Sequence, residues 1–189
     1  ERFKGKAGAA LTLTAPAGLD DIDRLHVIGL GPAGEAGKED WRSVGDTIAG
    51  RVGARPGTVF ADLPGVADPV AAVAAMALGA RLRAYRYDRF KTKKKDDAEP
   101  DEPTRLVFAG SDPAAAETAD AAGQALAAGV NLARTLVNEP PNVLYPAEFA
   151  RRAEALRDLG VEVEVLGEDK LREIGLRALV AVGDGSVHD

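Results

Sequence analysis

One stretch constrains this chain more than any other: an alanine-rich run that Ser111-Asp112-Pro113 opens and that reaches Asn138. An acidic residue followed by proline is a strong helix start, because the carboxylate caps free N–H groups and proline suits the first helical position. The far end is equally well marked. Pro140 and Pro141 remove N–H donors and stop the helix, Asn142 to Tyr145 make a turn, and Pro146 can open the next helix. The long helix is therefore the natural boundary, with one domain before it and the start of another after Pro140. The boundaries read as 1–111, 112–139 and 140–189.

Around that helix the pattern alternates strands with helices. Ala9 to Thr14 and Arg24 to Leu30 read as strands. Lys38 to Arg51 has helical spacing, with Trp41, Val44, Ile48 and Val52 on one side. Thr58 to Ala61 reads as a short buried strand, and Asp68-Pro69 opens a helix to about Arg83 with Val70, Val73, Ala77 and Leu78 inward. Tyr85 to Phe90, aromatic and basic by turns, reads as an exposed edge strand. Lys91 to Pro103 reads as a solvated loop, lysines followed by acids, and Thr104 to Ala109 as another strand. Beyond the proline turn, Pro146 to Leu159 is amphipathic and halted by Gly160. Val161 to Leu166 alternates Val and Glu as a half-exposed strand does, Glu168 to Ile174 is a short helix, and Ala178 to Val182 a buried strand. The class is α/β.

Composition narrows the function. With 46% apolar and 29% charged residues the 189-residue chain can bury a core. The net charge of −6 argues against a whole-surface affinity for nucleic acid or acidic membranes. Cysteine is absent, which excludes disulfides, thiolate metal sites and a cysteine nucleophile within this segment. The most apolar window, Val70 to Leu78, is about half of the ~20 residues a membrane helix needs. Glu1 is not an initiator Met, and both ends read as cut from within a longer sequence.

Two runs carry a family resemblance. Asn131-Leu132-Ala133-Arg134-Thr135-Leu136-Val137-Asn138-Glu139-Pro140-Pro141-Asn142-Val143-Leu144-Tyr145-Pro146 resembles the junction between the two domains of the leucyl aminopeptidases, hexameric two-metal exopeptidases. The run Leu78 to Lys94 is similar to that family's N-terminal domain, and shorter stretches (Glu1 to Gly5, Val27 to Gly31, Ala178 to Ser186) agree. Gly175-Leu176-Arg177-Ala178 departs from the pattern, with an arginine where the family tends to be small or apolar.

The resemblance implies a macro-like mixed-sheet N-terminal domain, a long linking helix and the beginning of an α/β/α catalytic domain. It implies hydrolysis of N-terminal residues from peptides by a cytoplasmic homo-hexamer with two divalent ions, manganese or zinc. The family's metal ligands are a lysine, three aspartates and a glutamate, in motifs K-G-x-x-F-D-T-G-G and N-T-D-A-E-G-R. Neither motif has a counterpart here. No catalytic, cofactor-binding or metal residue is assigned in this segment, no metal is expected on it, and the chain alone is expected to be inactive. Asn138, Glu139, Pro140, Pro141 and Asn142 match the family and read as structural.

Other constellations were weighed against that reading. Gly29-Leu30-Gly31-Pro32-Ala33-Gly34 satisfies G-x-G-x-x-G after a strand, but Pro32 has no N–H to offer a phosphate and Asp62 lies too far on for a ribose contact. Arg81, Arg83, Arg86, Arg89, Lys91 and Lys93 to Lys95, interleaved with Tyr85, Tyr87 and Phe90, could meet nucleic acid. Some bacterial members of the family do bind DNA. The acids from Asp96 to Glu102 follow at once, so an exposed strand and loop is preferred, and a nucleotide- or DNA-binding module is the alternative. His26 and His188 lie far apart, Ser43, Ser111 and Ser186 lack a nucleophile context, and Glu162 and Glu164 share a wet strand face.

Overall fold

The first elements are two antiparallel strands, β1 (Ala10–Thr14) and β2 (Arg24–Ile28), with Thr12 opposite His26. The structure is a computed structural model and describes residues 2–32, 40–61, 63–92, 105–110 and 112–185. They form two units, Glu1–Ala133 and Arg134–Asp189. In the first, helix α1 (Trp41–Val52) is capped by Asp40, which accepts from the Arg42 N–H at 3.2 Å and from the Ser43 hydroxyl at 2.9 Å. Strand β3 (Gly57–Phe60) follows, then α2 (Pro69–Ala84) and β4 (Leu106–Ala109), which runs parallel to β3 with Thr58 opposite Val107. A parallel pair joined through a helix is the βαβ unit that the alternating pattern implies.

Its core is small-residue chemistry. Ile48, Ala61, Val73 and Met76 are buried together, with Trp41, Val44, Val52, Val59, Leu106 and Phe108 packed against them. The expected inward face of α1 is therefore the observed one. Helix α2 is buried further round, at Ala72, Met76, Gly79 and Ala80 as well as Val73 and Ala77. Its alanines and glycine allow that. A β-carbon on Gly45 would stand 1.9 Å from the Met76 carbonyl oxygen, and one on Gly79 would stand 2.0 Å from the Arg42 carbonyl oxygen. The backbones of α1 and α2 touch at two places where no side chain fits.

Helix α3 (Pro113–Asn138) is the long helix expected from its end signals, and Asp112 caps it by accepting from the Ala115 N–H at 3.0 Å. It lies against α2, where Arg81 grips Asp120 with two bonds of 2.5 and 2.6 Å and Gln124 adds a third at 3.0 Å. Burial pushes the Asp120 carboxyl up, but the Arg81 and Gln124 bonds and the Arg81 charge outweigh it and hold it below the ordinary value. Asp120→Ala is expected to cost between about 1 and 2 kcal/mol, the lower part of the range for charged hydrogen bonds because water already reaches the Arg81 head. A urea titration followed by circular dichroism checks it.

The second unit holds α4 (Pro146–Glu154), a 3-10 turn (Ala155–Leu159) closed by left-handed Gly160, α5 (Glu168–Glu173) and α6 (Arg177–Gly183). Three expectations need correction. Tyr85 to Phe90 joins no strand ladder among the described residues. Arg86 instead donates to the carbonyls of Arg83 and Tyr85, and a turn forms from the Lys91 N–H to the Asp88 carbonyl at 3.1 Å. Val161 to Leu166 belongs to no strand, because a strand exists only beside another and none of the described strands lies beside it. Ala178 to Val182 lies in α6, since the periodicity of so short an apolar run does not distinguish a strand from a helix. The solvated-loop expectation for Lys91 to Pro103 falls mostly outside the described residues.

Candidate functional site

Open α/β sheets bind ligands beyond the carboxyl ends of their parallel strands. In the first unit that place is a small hollow lined by Ala61, Pro69, Val70, Val73, Gly110, Asp112 and Ala116. The starts of α2 and α3 both point to it, but each is already occupied by its own carboxylate. Asp68 accepts from the Ala71 N–H at 2.9 Å and Asp112 from Ala115, while Pro69 and Pro113 offer no N–H. Two carboxylates where a phosphate would arrive make the hollow repel anions. Asp62 and Ser111 lie outside the described residues.

The glycine-rich turn is equally committed. The Gly29 N–H goes to the Ala9 carbonyl at 2.7 Å and the Gly31 N–H to the Gly5 carbonyl at 2.9 Å. A β-carbon on Gly29 would stand 2.3 Å from the Lys6 carbonyl oxygen, and Gly31 has φ of 80°. These glycines serve a close backbone approach between residues 5–9 and 29–31, not a pyrophosphate. Ala33 and Gly34 lie outside the described residues.

The basic stretch is mostly spoken for. Arg81 holds Asp120, Arg83 faces Asp46 at 3.9 Å, Arg86 turns back on main-chain carbonyls, Arg89 lies over the Phe90 ring at 5.4 Å and Lys91 pairs with Asp88. Lys93 to Lys95 lie outside the described residues. His26 shares a 2.9 Å bond between its Nδ1 and the Thr12 hydroxyl. Burial, then the charges of Arg24 and Arg51, hold its pKa below the ordinary value, so it is a neutral cross-strand partner. Ser43 is part of the α1 cap, Glu162 and Glu164 are both exposed, and Ser186 and His188 lie outside the described residues.

One charged cluster escaped the sequence reading. It spans the proline turn. Glu139, whose side chain is 2% exposed, accepts from Arg152 at 3.3 Å, and Arg152 also donates to Glu148 at 2.7 Å. Arg151 adds two bonds to Glu148, of 2.6 and 2.7 Å. The spacing of Glu148 and Arg152 is the readable part, an i,i+4 pair on a helix. The reach from Glu139 across the turn has no sequence signal. Hydrogen bonds from Arg151 and then Arg152 hold the Glu148 carboxyl down at about 2, below its ordinary 4.5. A carboxyl lowered by folding stabilises the fold above its ordinary value and loses that contribution as the pH falls through the lowered one. The stability gap between the wild type and Glu148→Gln is therefore expected to be full near about pH 6 and to close as the pH approaches about 2. Parallel urea titrations at the two pH values measure it.

Among the described residues, no three of His, Cys, Asp and Glu gather as a metal would require, and no helix is long and apolar enough to cross a membrane.

Comparison with known proteins gives two family matches along the chain. The profile for the cytosol aminopeptidase family, N-terminal domain, matches residues 1–94, and the profile for the same family's catalytic domain matches residues 131–189. The chain is 53% identical to a probable cytosol aminopeptidase of Methylorubrum extorquens and 51% identical to one of Methylorubrum populi, over all of its own length and 37% of theirs. It thus spans little more than a third of the relatives it matches. Its fold is similar to that of the bottromycin maturation enzyme BotP in complex with Mn, with a TM-score of 0.76 at 30% identity over 98% of this chain and 38% of that one. A tomato leucine aminopeptidase mutant shares the fold at a TM-score of 0.71 and 24% identity, over 90% of this chain and 34% of its own.

Proposed function

This chain belongs to the cytosol aminopeptidase family, and we propose on that premise that it serves as the N-terminal part of an aminopeptidase that removes N-terminal residues from peptides. The observation that carries the reading is the order of the two matches, N-terminal domain before catalytic domain, the second opening within the last turns of α3 and taking in the proline turn. The domain limits proposed are 1–111, 112–139 and 140–189. The substrate is a peptide, the catalyst a pair of divalent ions such as manganese or zinc, the setting cytoplasmic and the assembly a homo-hexamer. The Mn-bound BotP structure supports the metal class.

The metal ligands of such an enzyme are proposed to lie outside this segment, which contributes no catalytic, metal or cofactor residue. Its part is architectural. In the second unit the cluster around Glu139 ties the proline turn to α4. The 189-residue chain alone is expected to give no turnover of Leu-p-nitroanilide with added manganese. Turnover by the purified chain would overturn the proposal. The nucleotide- or DNA-binding alternative gains no support from the occupied glycine turn, the self-capped helix starts or the paired arginines.

A further inference from the structure

We propose that Arg24, His26 and Arg51, with the hydroxyls of Thr12 and Thr14 beside them, form a binding site for a small phosphate-class dianion, either inorganic phosphate or the end of a phosphate monoester. The site is separate from the peptidase reading and stands without it. The strand pair supplies most of it. Opposed residues of an antiparallel ladder share a face, and neighbours along a strand alternate. Thr12, Thr14, Arg24, His26 and Ile28 therefore lie on one side of β1 and β2. Ile28 packs against the core cluster and α1 touches β2, so that side is the one turned toward α1. Arg51 stands in the last turn of α1, next to Val52, which packs on the same cluster. His26 is half-buried, and its Nδ1 is engaged by the Thr12 hydroxyl at 2.9 Å, which leaves its Nε2 for a ligand.

Charge decides the ligand. Burial and the positive charges of Arg24 and Arg51 act together on His26, and no carboxylate of the described residues offsets them. Among the described residues neither guanidinium has a hydrogen-bond or ion-pair partner, whereas Arg42, Arg81 and Arg83 each face an aspartate. A single arginine at the end of a helix needs no ligand, since the helix dipole favours it there. Two arginines acting on one half-buried imidazole, in a chain of net charge −6, leave a local positive field that a bound anion relieves. Guanidinium forks match the paired oxygens of a phosphate, and two of them favour a doubly charged anion. Phosphate is therefore preferred over a carboxylate or chloride.

The test follows the His26 imidazole by proton NMR in the 189-residue chain, with His26→Gln separating its signals from those of His188. Sodium phosphate and glycerol phosphate are titrated separately, against sodium chloride at matched ionic strength. Phosphate is expected to shift the His26 signals saturably and to raise the pKa read from them, because a nearby negative charge favours the imidazolium. Arg24→Gln and Arg51→Gln are each expected to weaken phosphate binding about tenfold or more, the loss of a charge-assisted hydrogen bond. Both residues are exposed, so circular dichroism is expected to show the fold kept. Arg42→Gln, about 13 Å away along the same helix, is expected to leave binding unchanged. A response to inorganic phosphate alone makes the free ion the ligand, and a tighter response to glycerol phosphate makes it the monoester. Equal shifts with chloride, undiminished binding by both Arg24→Gln and Arg51→Gln, or as large a loss with Arg42→Gln overturns the proposal. Duplex DNA that moves the His26 signals when neither small phosphate does so overturns it too.

Discussion

Gly79→Ala and Gly45→Ala are each expected to destabilise the first unit by about 3 kcal/mol or more, at or beyond the top of the usual range for overpacking. The reason is what the new methyl would meet. On Gly79 it would stand 2.0 Å from the Arg42 carbonyl oxygen, and on Gly45 1.9 Å from the Met76 carbonyl oxygen. Both obstacles are backbone, so no side chain can swing aside and the whole helix pair must separate. Gly129 supplies the contrast. It lies inside α3, with nothing within 4 Å of where its β-carbon would be. Gly129→Ala is expected to raise stability by about 0.5–1 kcal/mol through helix propensity alone. Thermal and urea denaturation of the three variants, followed at 222 nm, gives opposite signs if the close crossing is real. Equal, small effects at all three would refute it.

Met76→Ala is expected to cost about 3 kcal/mol, within the range for truncating a buried methionine. Met76 is 3% exposed and packs with Ile48, Ala61 and Val73, so its side chain fills the space between α1, α2 and the sheet. The backbone contact at Gly45 holds α1 and α2 at a fixed spacing, so the helices cannot close into the hole. The site therefore collapses poorly and keeps a cavity. Met76→Leu conserves volume and is expected to cost less than about 1.5 kcal/mol. A loss with leucine as large as the loss with alanine would show that methionine's shape, not its volume, is what the core requires.

The ends of α2 and α3 were legible because their signals are local. Asp68-Pro69 and Asp112-Pro113 cap and start helices wherever they occur, and Pro140-Pro141 stops one wherever it occurs. The apolar side of α1 was legible for a related reason, since Trp41, Val44 and Ile48 repeat at the helical period. The family resemblance was equally legible, in the runs 78–94 and 131–146. The misread segments share a different property. Val161 to Leu166 and Ala178 to Val182 both have residues that suit strands, but a strand needs a neighbour and neither has one among the described residues. Tyr85 to Phe90 likewise has no neighbouring strand among the described residues and closes instead in a turn from the Lys91 N–H to the Asp88 carbonyl.

The candidate sites divide in the same way. Pro32 alone told against the glycine motif, yet only the fold showed Gly29 pressed against the Lys6 carbonyl. Sequence by itself determined the starts of α2 and α3, the end of α3, the apolar side of α1 and the family, because caps, prolines and period act within a few residues. Tertiary structure decided the Gly45–Gly79 crossing, the Arg81–Asp120 grip and the bond from Arg152 to Glu139. Each of those depends on parts of the chain separated by 13 residues or more meeting in space, and no local preference encodes that meeting.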